Sequence, residues 1–282
     1  MTSEGPTPDS AAAKKTGRAG RDLRAAITVG VSLVALVLLS LFWVKDLFGV
    51  VAAVALVVAA LEIARALGTA GIRVPLPPVL VGGVAMLVVA FYDDMDTAAA
   101  VMALTVIATM AWRLRSGSDG FVRDATAGVF LLSYLFLMGT FVMRMLAADD
   151  GPWRVVAFIL VTIASDIGGY AAGVLFGKHP MAPTISPKKS WEGFAGSLLA
   201  GIACGILVVV YALEGPWWAG LLLGVAGVCF ATLGDLCESL IKRDLGIKDM
   251  GDLLPGHGGL MDRLDSLIAV APVAYLVMYL LV

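Results

Sequence analysis

The 282-residue sequence predicts an all-α, polytopic integral membrane protein of about nine transmembrane helices with its N-terminus in the cytoplasm. Three observations carry that prediction. Hydrophobic residues make up 60% of the chain, charged residues only 15%, and the mean hydropathy is +0.92, which excludes an ordinary soluble domain. Apolar stretches of about 20 residues, the length that crosses a hydrocarbon core, recur along the chain. Lysine and arginine segregate onto alternate connections between those stretches.

Residues 1–24 are small, polar and basic with no apolar run, so a disordered cytoplasmic tail is expected there. The apolar segment that follows is too long for a signal-peptide core and lacks a clear cleavage site, so it belongs to the mature protein. Spans are expected at 26–44, 47–67, 76–92, 97–112, 124–146, 153–176, 192–213, 217–239 and 265–282. Turn residues and charges separate them, including Pro75, Pro77 and Pro78, the acidic run Asp93–Asp96, residues 116–120 and residues 149–152. The third and fourth spans are short, which leaves their boundaries loosest.

A cytoplasmic tail places Arg65 and Arg73, Arg113, Arg115 and Arg123, Lys178, Lys188 and Lys189, and Lys242, Arg243, Lys248 and Arg263 on the inner side. With the tail included, 17 of the 20 Lys and Arg residues then face the cytoplasm. Only Lys45, Arg144 and Arg154 fall outside. A wrong span count would scramble that partition, so the positive-inside rule supports nine spans and a cytoplasmic connection at 239–265. The net charge of −2 adds little to this, because distribution rather than sum governs topology.

Residues 25–282 read as a single transmembrane domain, divided into N-terminal spans (25–150) and a polar, catalytic C-terminal half (151–282). In the first half Glu62 and Arg65 lie three apart, the spacing of a mutual pair on one helix face. Cys204, Cys229 and Cys237 lack metal-ligand spacing and read as buried thiols.

Asp166 lies well inside the sixth span. A carboxylate there costs roughly 2.5–3.5 kcal/mol on insertion scales, so it requires a partner or a water-filled cavity. Ser165, Gly168 and Gly169 beside it suggest a polar, open lining. Gly169, Gly173 and Gly177 recur every four residues and favour close helix packing. They permit a homodimer without requiring one. Gly173, Gly177 and Lys178 fail as a phosphate-binding loop, because the spacing is short by one residue and no Ser or Thr follows. Further on, Ser190 is placed to cap the next helix, whose first amides and the adjacent Lys188 and Lys189 would attract an anion. Positive-inside lysines with a capping serine explain that loop equally well.

At the end of the eighth span Asp235, Glu238 and Ser239 occupy neighbouring positions on one helix face, and Asp262 and Asp265 do the same at the start of the ninth. Two helix ends meeting there would gather carboxylates below Asp166. Hard divalent cations such as Mg²⁺ take one or two carboxylates together with substrate phosphates. Between these ends the glycines of Pro255–Gly259 allow backbone amides to line a phosphate, and His257 could hydrogen-bond it or shuttle a proton. His179 lacks such a setting and reads as structural.

Residues 239–265 resemble the signature of the phosphatidate cytidylyltransferases, or CDP-diacylglycerol synthases. The resemblance rests on Ser239, Ile241, Lys242, Arg243, Lys248, Asp249, Gly251, Leu254, Pro255, His257, Gly258, Gly259, Leu260, Asp262, Arg263, Leu264 and Asp265. The runs SDIGGY from Ser165, SPKKSWEG from Ser186 and GDLCES from Gly234 are similar to the same family, so the likeness covers roughly residues 150–282. It implies that CTP and phosphatidic acid give CDP-diacylglycerol and pyrophosphate with Mg²⁺, and it leaves a second, monovalent cation open. Carried onto these positions, Asp235, Asp265 and Asp262 are candidate metal ligands, and those three with Asp166 and His257 are candidate catalytic residues. Lys188, Lys189, Ser190, Glu192, Ser239, Lys242, Arg243, Lys248, Asp249, Gly258, Gly259 and Arg263 are candidate substrate-binding residues. The expected setting is a multi-pass cell-membrane protein whose site faces the cytoplasm, with the lipid bilayer as partner and no nucleic acid.

Two rival readings follow from the same residues. A buried Asp166 among glycine-broken helices resembles an ion pathway in a transporter, but the polar residues cluster on one side only. A CTP-dependent isoprenoid alcohol kinase would need a base for its hydroxyl nucleophile, and the full 239–265 signature argues against it. A CDP-alcohol phosphotransferase would need DGxxAR followed by GxxxDxxxD, which the sequence lacks.

Overall fold

A computed structural model describes residues 20–251 and 258–282. The chain is almost wholly helical: α1 (Gly20–Trp43), α2 (Lys45–Thr69), α3 (Leu76–Tyr92), α4 (Met95–Leu114), α5 (Phe121–Leu131), α6 (Met138–Ala147), α7 (Gly151–Phe176), α8 (Trp191–Ala212), α9 (Trp217–Asp244) and α10 (Met261–Leu281). A π-helical turn, Leu132–Leu137, joins α5 to α6 in one continuous rod. Between α7 and α8 a short antiparallel ribbon forms from β1 (Pro180–Ala182) and β2 (Ser186–Ser190). No period-two pattern marks that ribbon in the sequence, because its strands hold only three and five residues.

The helices fall on the nine expected apolar segments. Seven of them are long and apolar enough to cross a membrane: α2, α4, the α5–α6 rod, α7, α8, α9 and α10. The apolar part of α1 from Gly30 and the whole of α3 are shorter. This is an all-α, multi-pass membrane protein. Its many outward-facing Val, Leu, Ile and Phe side chains suit lipid contact, since exposed apolar surface costs nothing in hydrocarbon. α1 begins at Gly20, so the expected tail is shorter than 24 residues at its helical end, and its remainder lies outside the described residues.

Local chemistry fixes the helix ends. Asp94 caps α4 by accepting the Thr97 amide at 2.7 Å, which holds its carboxyl below the usual range. Buried Asp124 at the start of α5 accepts from Arg113 Nε at 3.0 Å and from the Arg73 amide at 3.0 Å, fastening the α2–α3 and α4–α5 connections together.

Small residues then set how closely the last helices approach. A Cβ on Gly168 of α7 would sit 2.5 Å from Ala200 Cβ of α8, and one on Gly224 of α9 would sit 2.5 Å from Ile202 Cα of α8. Both contacts lie inside one chain, so these glycine faces are spent on α7–α8–α9 packing. The cysteines correct one expectation: Cys204 and Cys229 are half-buried and Cys237 is exposed, positions that a weakly polar thiol tolerates in an apolar surround.

Candidate functional site

α7, the ribbon, α8 and α9 enclose a polar cavity of ≈ 280 Å³ at one end of the bundle. Its wall includes Asp166 and Gly173 from α7, Lys188, Lys189 and Ser190 from β2, Ser197 from α8, and Asp235 from α9. Asp166 is exposed to it, as the cost of a carboxylate inside an apolar helix demands. Lys189 Nζ pairs with Asp235 Oδ2 at 2.6 Å across the cavity. Ser239, one turn on from Asp235, donates to its Oδ1 at 3.3 Å. Asp166 lies within electrostatic reach of Asp235, Lys189 and Arg263, and Asp265 within reach of Asp235, Asp166 and Lys242. Asp166 and Asp235, far apart in the chain, thus line one space.

The ribbon holds its lysines in place through the ends of α7 and α8. Ser190 Oγ accepts the Gly193 amide at 3.1 Å and caps α8 as expected, while the Trp191 amide donates to His179 O at 3.0 Å. Two of the first α8 amides are spent in this way, so attraction of an anion here rests mainly on the lysine charges. Glu192 turns back rather than inward. It accepts the amides of Lys178 at 3.1 Å and His179 at 3.2 Å, and meets His179 Nδ1 at 2.6 Å, which gives His179 its structural role. Gly177 ends α7 and packs tightly against Ser190 Oγ, whereas Gly173 leaves room and lines the cavity.

The α9–α10 loop uses its charges differently. Asp262 accepts from Lys242 Nζ at 2.9 Å, from the Met250 amide at 3.1 Å and from the Gly259 amide at 2.8 Å. Lys242 also bonds Glu238, which is buried. Beneath the loop sits Glu62 of α2, whose carboxylate accepts the Leu260 amide at 3.0 Å and the Met261 amide at 2.8 Å and so caps α10. A Cβ on Gly251 or Gly259 would lie 2.6 or 2.7 Å from the same carboxylate, so the two glycines form its cradle. The helix-face pairing of Glu62 with Arg65 suggested by spacing is therefore replaced by a tertiary cap, because unmet helix amides outweigh an exposed arginine as partner. Its signal in the sequence was an acid embedded in an apolar run.

Other candidates take peripheral places. Arg243 Nε donates to Ile185 O at 3.4 Å and ties α9 to the ribbon; Lys248 and Asp249 are exposed. Gly258 adopts φ 78°, the left-handed region that favours glycine, beside Asp262. His257 lies outside the described residues. Among the described residues, no group of three or more His, Cys, Asp or Glu side chains is arranged to hold a metal ion.

Fold and site together define a multi-pass membrane protein with an acid- and lysine-lined cavity at one end of its bundle. Residues 24–281 match the model of the cytidylyltransferase family. The sequence is 45% identical over 282 residues to the phosphatidate cytidylyltransferase of Mycobacterium bovis, covering 95% of this chain and 92% of that protein. It is 43% identical over 284 residues to the phosphatidate cytidylyltransferase of Mycobacterium leprae, covering 95% and 91%. The Haemophilus influenzae protein of the same name is 36% identical over 173 residues, 60% of this chain and 52% of that one. This chain belongs to the cytidylyltransferase family.

Proposed function

We propose that the protein is a phosphatidate cytidylyltransferase, making CDP-diacylglycerol and pyrophosphate from CTP and phosphatidate at the cytoplasmic boundary of the cell membrane. The observation that carries this reading is the cavity in which Asp166, Lys188, Lys189 and Asp235 meet inside a membrane bundle of this family. A phosphatidate phosphate oxygen attacks the α-phosphorus of CTP. The new P–O bond forms as the bond from that phosphorus to the bridging oxygen breaks, and pyrophosphate leaves with the electron pair. The attacking phosphate is already anionic at neutral pH, so no side chain has to deprotonate it.

Two anions must approach one another, and the residues' work is therefore positioning and charge compensation. Lys188 and Lys189 bind the triphosphate, with Lys189 exchanging its contact to Asp235 for a phosphate oxygen. Arg263, within electrostatic reach of Asp166, would meet the lipid phosphate. Asp262 is engaged with Lys242 and two loop amides, which suits a loop-ordering role better than metal ligation. That leaves Asp235 and Asp265 to hold Mg²⁺, a donor set that fits an ion arriving with the nucleotide, since Mg²⁺ uses one or two carboxylates plus substrate phosphates. Bound there, the ion would offset triphosphate charge and aid departure of pyrophosphate.

Topology supports the same reading. CTP is soluble while phosphatidate keeps its acyl chains in the bilayer, and the inner boundary, where the basic connections gather, admits both. The test is purified protein in detergent with labelled CTP and either phosphatidate or an isoprenoid alcohol. Label in a liponucleotide only with phosphatidate is expected. Label transferred to the alcohol, or none with either acceptor, would overturn the proposal.

A further inference from the structure

The polar chain of the α9–α10 loop ends in an unmatched oxygen. Glu238 is 1% exposed; its Oε2 bonds Lys242, but its Oε1 is buried with no hydrogen-bond partner. A second buried group, the hydroxyl of Tyr134, is also without a partner, and it lies within electrostatic reach of Glu238 and Asp265. One group is a donor and the other an acceptor. The third such atom, Arg144 Nε, belongs to a guanidinium already bonded through Nη1 to Ala90 O and Asp93 O.

Tyr134 stands in the π-helical turn Leu132–Leu137, which interrupts the α5–α6 rod. Such turns sacrifice regular helix bonding and recur at functional sites. The Tyr134 ring is stacked on Phe130, with centroids 5.2 Å apart and planes at 13°, and the flanking Leu132, Leu135 and Phe136 are fully buried. Ring and backbone are therefore held, and only the hydroxyl remains unspent. Buried polar groups without partners are rare, and here a donor and an acceptor are both left over.

We propose that Tyr134 is a positioning residue for the reaction: its hydroxyl donates through one bridging water to Glu238 Oε1 and fixes the Glu238–Lys242–Asp262 chain that holds the Met250 and Gly259 amides at the start of α10. The N-terminal spans then contribute to the geometry of the site without touching substrate. This inference rests on the functional reading above for its kinetic consequence and on the two unpartnered buried groups for the bridge.

Tyr134→Phe keeps the ring and removes the hydroxyl. It should lower kcat about 10-fold, the size usual for groups that orient a site's own side chains. KM for CTP and for phosphatidate should stay within about twofold, since ground-state binding is untouched. Glu238→Gln should do the same, and the double variant should lose no more than either single one. Phe130→Leu, which loosens the ring's packing and leaves the hydroxyl, should retain more kcat than Tyr134→Phe. Thermal unfolding of the four members of the Tyr134 and Glu238 cycle in detergent reads the same pair without substrate, and Glu238→Asp serves should Glu238→Gln not fold. Additive losses in both kcat and melting temperature would overturn the proposal, as would full kcat in Tyr134→Phe. A wild-type protein that makes no CDP-diacylglycerol would sink the functional reading instead, and the melting cycle alone would then decide the Tyr134–Glu238 bridge.

Discussion

Around the cavity the charged groups stay open: the Asp235 side chain is 37% exposed and Lys189 25%, with Asp166 and Lys188 exposed beside them. Where the end of α9 meets the start of α10 three charged groups are closed, with the side chains of Glu238 at 1%, Asp262 at 8% and Lys242 at 18%. A single stretch of sequence, 238–265, contains the second set, and the first lies outside it. The signature and the motifs that precede it are thus two devices. Open charges are free to exchange a protein partner for a phosphate, whereas closed ones are bonded on several sides and set the shape of the backbone.

The comparison breaks most readily at Asp235. Asp235→Asn should lower kcat on the order of 10³-fold, the scale seen when charge stabilisation at a reacting group is removed. Its melting temperature should stay at the wild-type value, because a pair this exposed adds little stability. A marked loss of stability with activity retained would merge the two regions into one.

Asp262→Asn should show the opposite pattern. Removing the charge leaves Lys242 and Glu238 unbalanced in a buried setting, a cost of about 3 kcal/mol read as a lower melting temperature. Half-saturating Mg²⁺ should not move in this variant, whereas in Asp265→Asn it should rise. A raised Mg²⁺ requirement in Asp262→Asn would restore that residue to the metal site. The smallest effect belongs to Lys188→Ala, an exposed change that should raise KM for CTP about tenfold, or roughly 1.4 kcal/mol, with kcat and stability little altered. An unchanged KM would remove Lys188 from the binding set and leave Lys189 to act alone.

The fold was legible to an unusual degree because hydrocarbon imposes one rule on every span, an apolar run of sufficient length. The start of α3 at Leu76 and the end of α7 at Phe176 coincide with the expected boundaries, marked by prolines and by glycine respectively. That carboxylates at the end of α9 would gather near Asp166 was expected from helix-face spacing, whereas the pairing of Lys189 with Asp235 was not read from the residues. Partnership was harder to read. Glu192 has the sequence context of a substrate ligand, yet its oxygens are filled by Lys178 and His179, a choice set by the ribbon's path. Glu62 and Tyr134 lie in apolar spans outside the quoted motifs, and spacing along the chain does not show that Glu62 meets the amides of Leu260 and Met261. Such contacts depend on helix order in space, which periodicity does not encode.

Glu62 also has a history within each molecule's own synthesis. Its acceptors await the amides of Leu260 and Met261, which lie 198 and 199 residues further along the chain. At the usual 5–20 residues per second, roughly 10–40 s separate the emergence of the carboxylate from that of its partners. Through that interval the two amides that hold the Glu62 carboxylate in the finished fold have not been made. The cap on α10 therefore closes only once the last helix has been made.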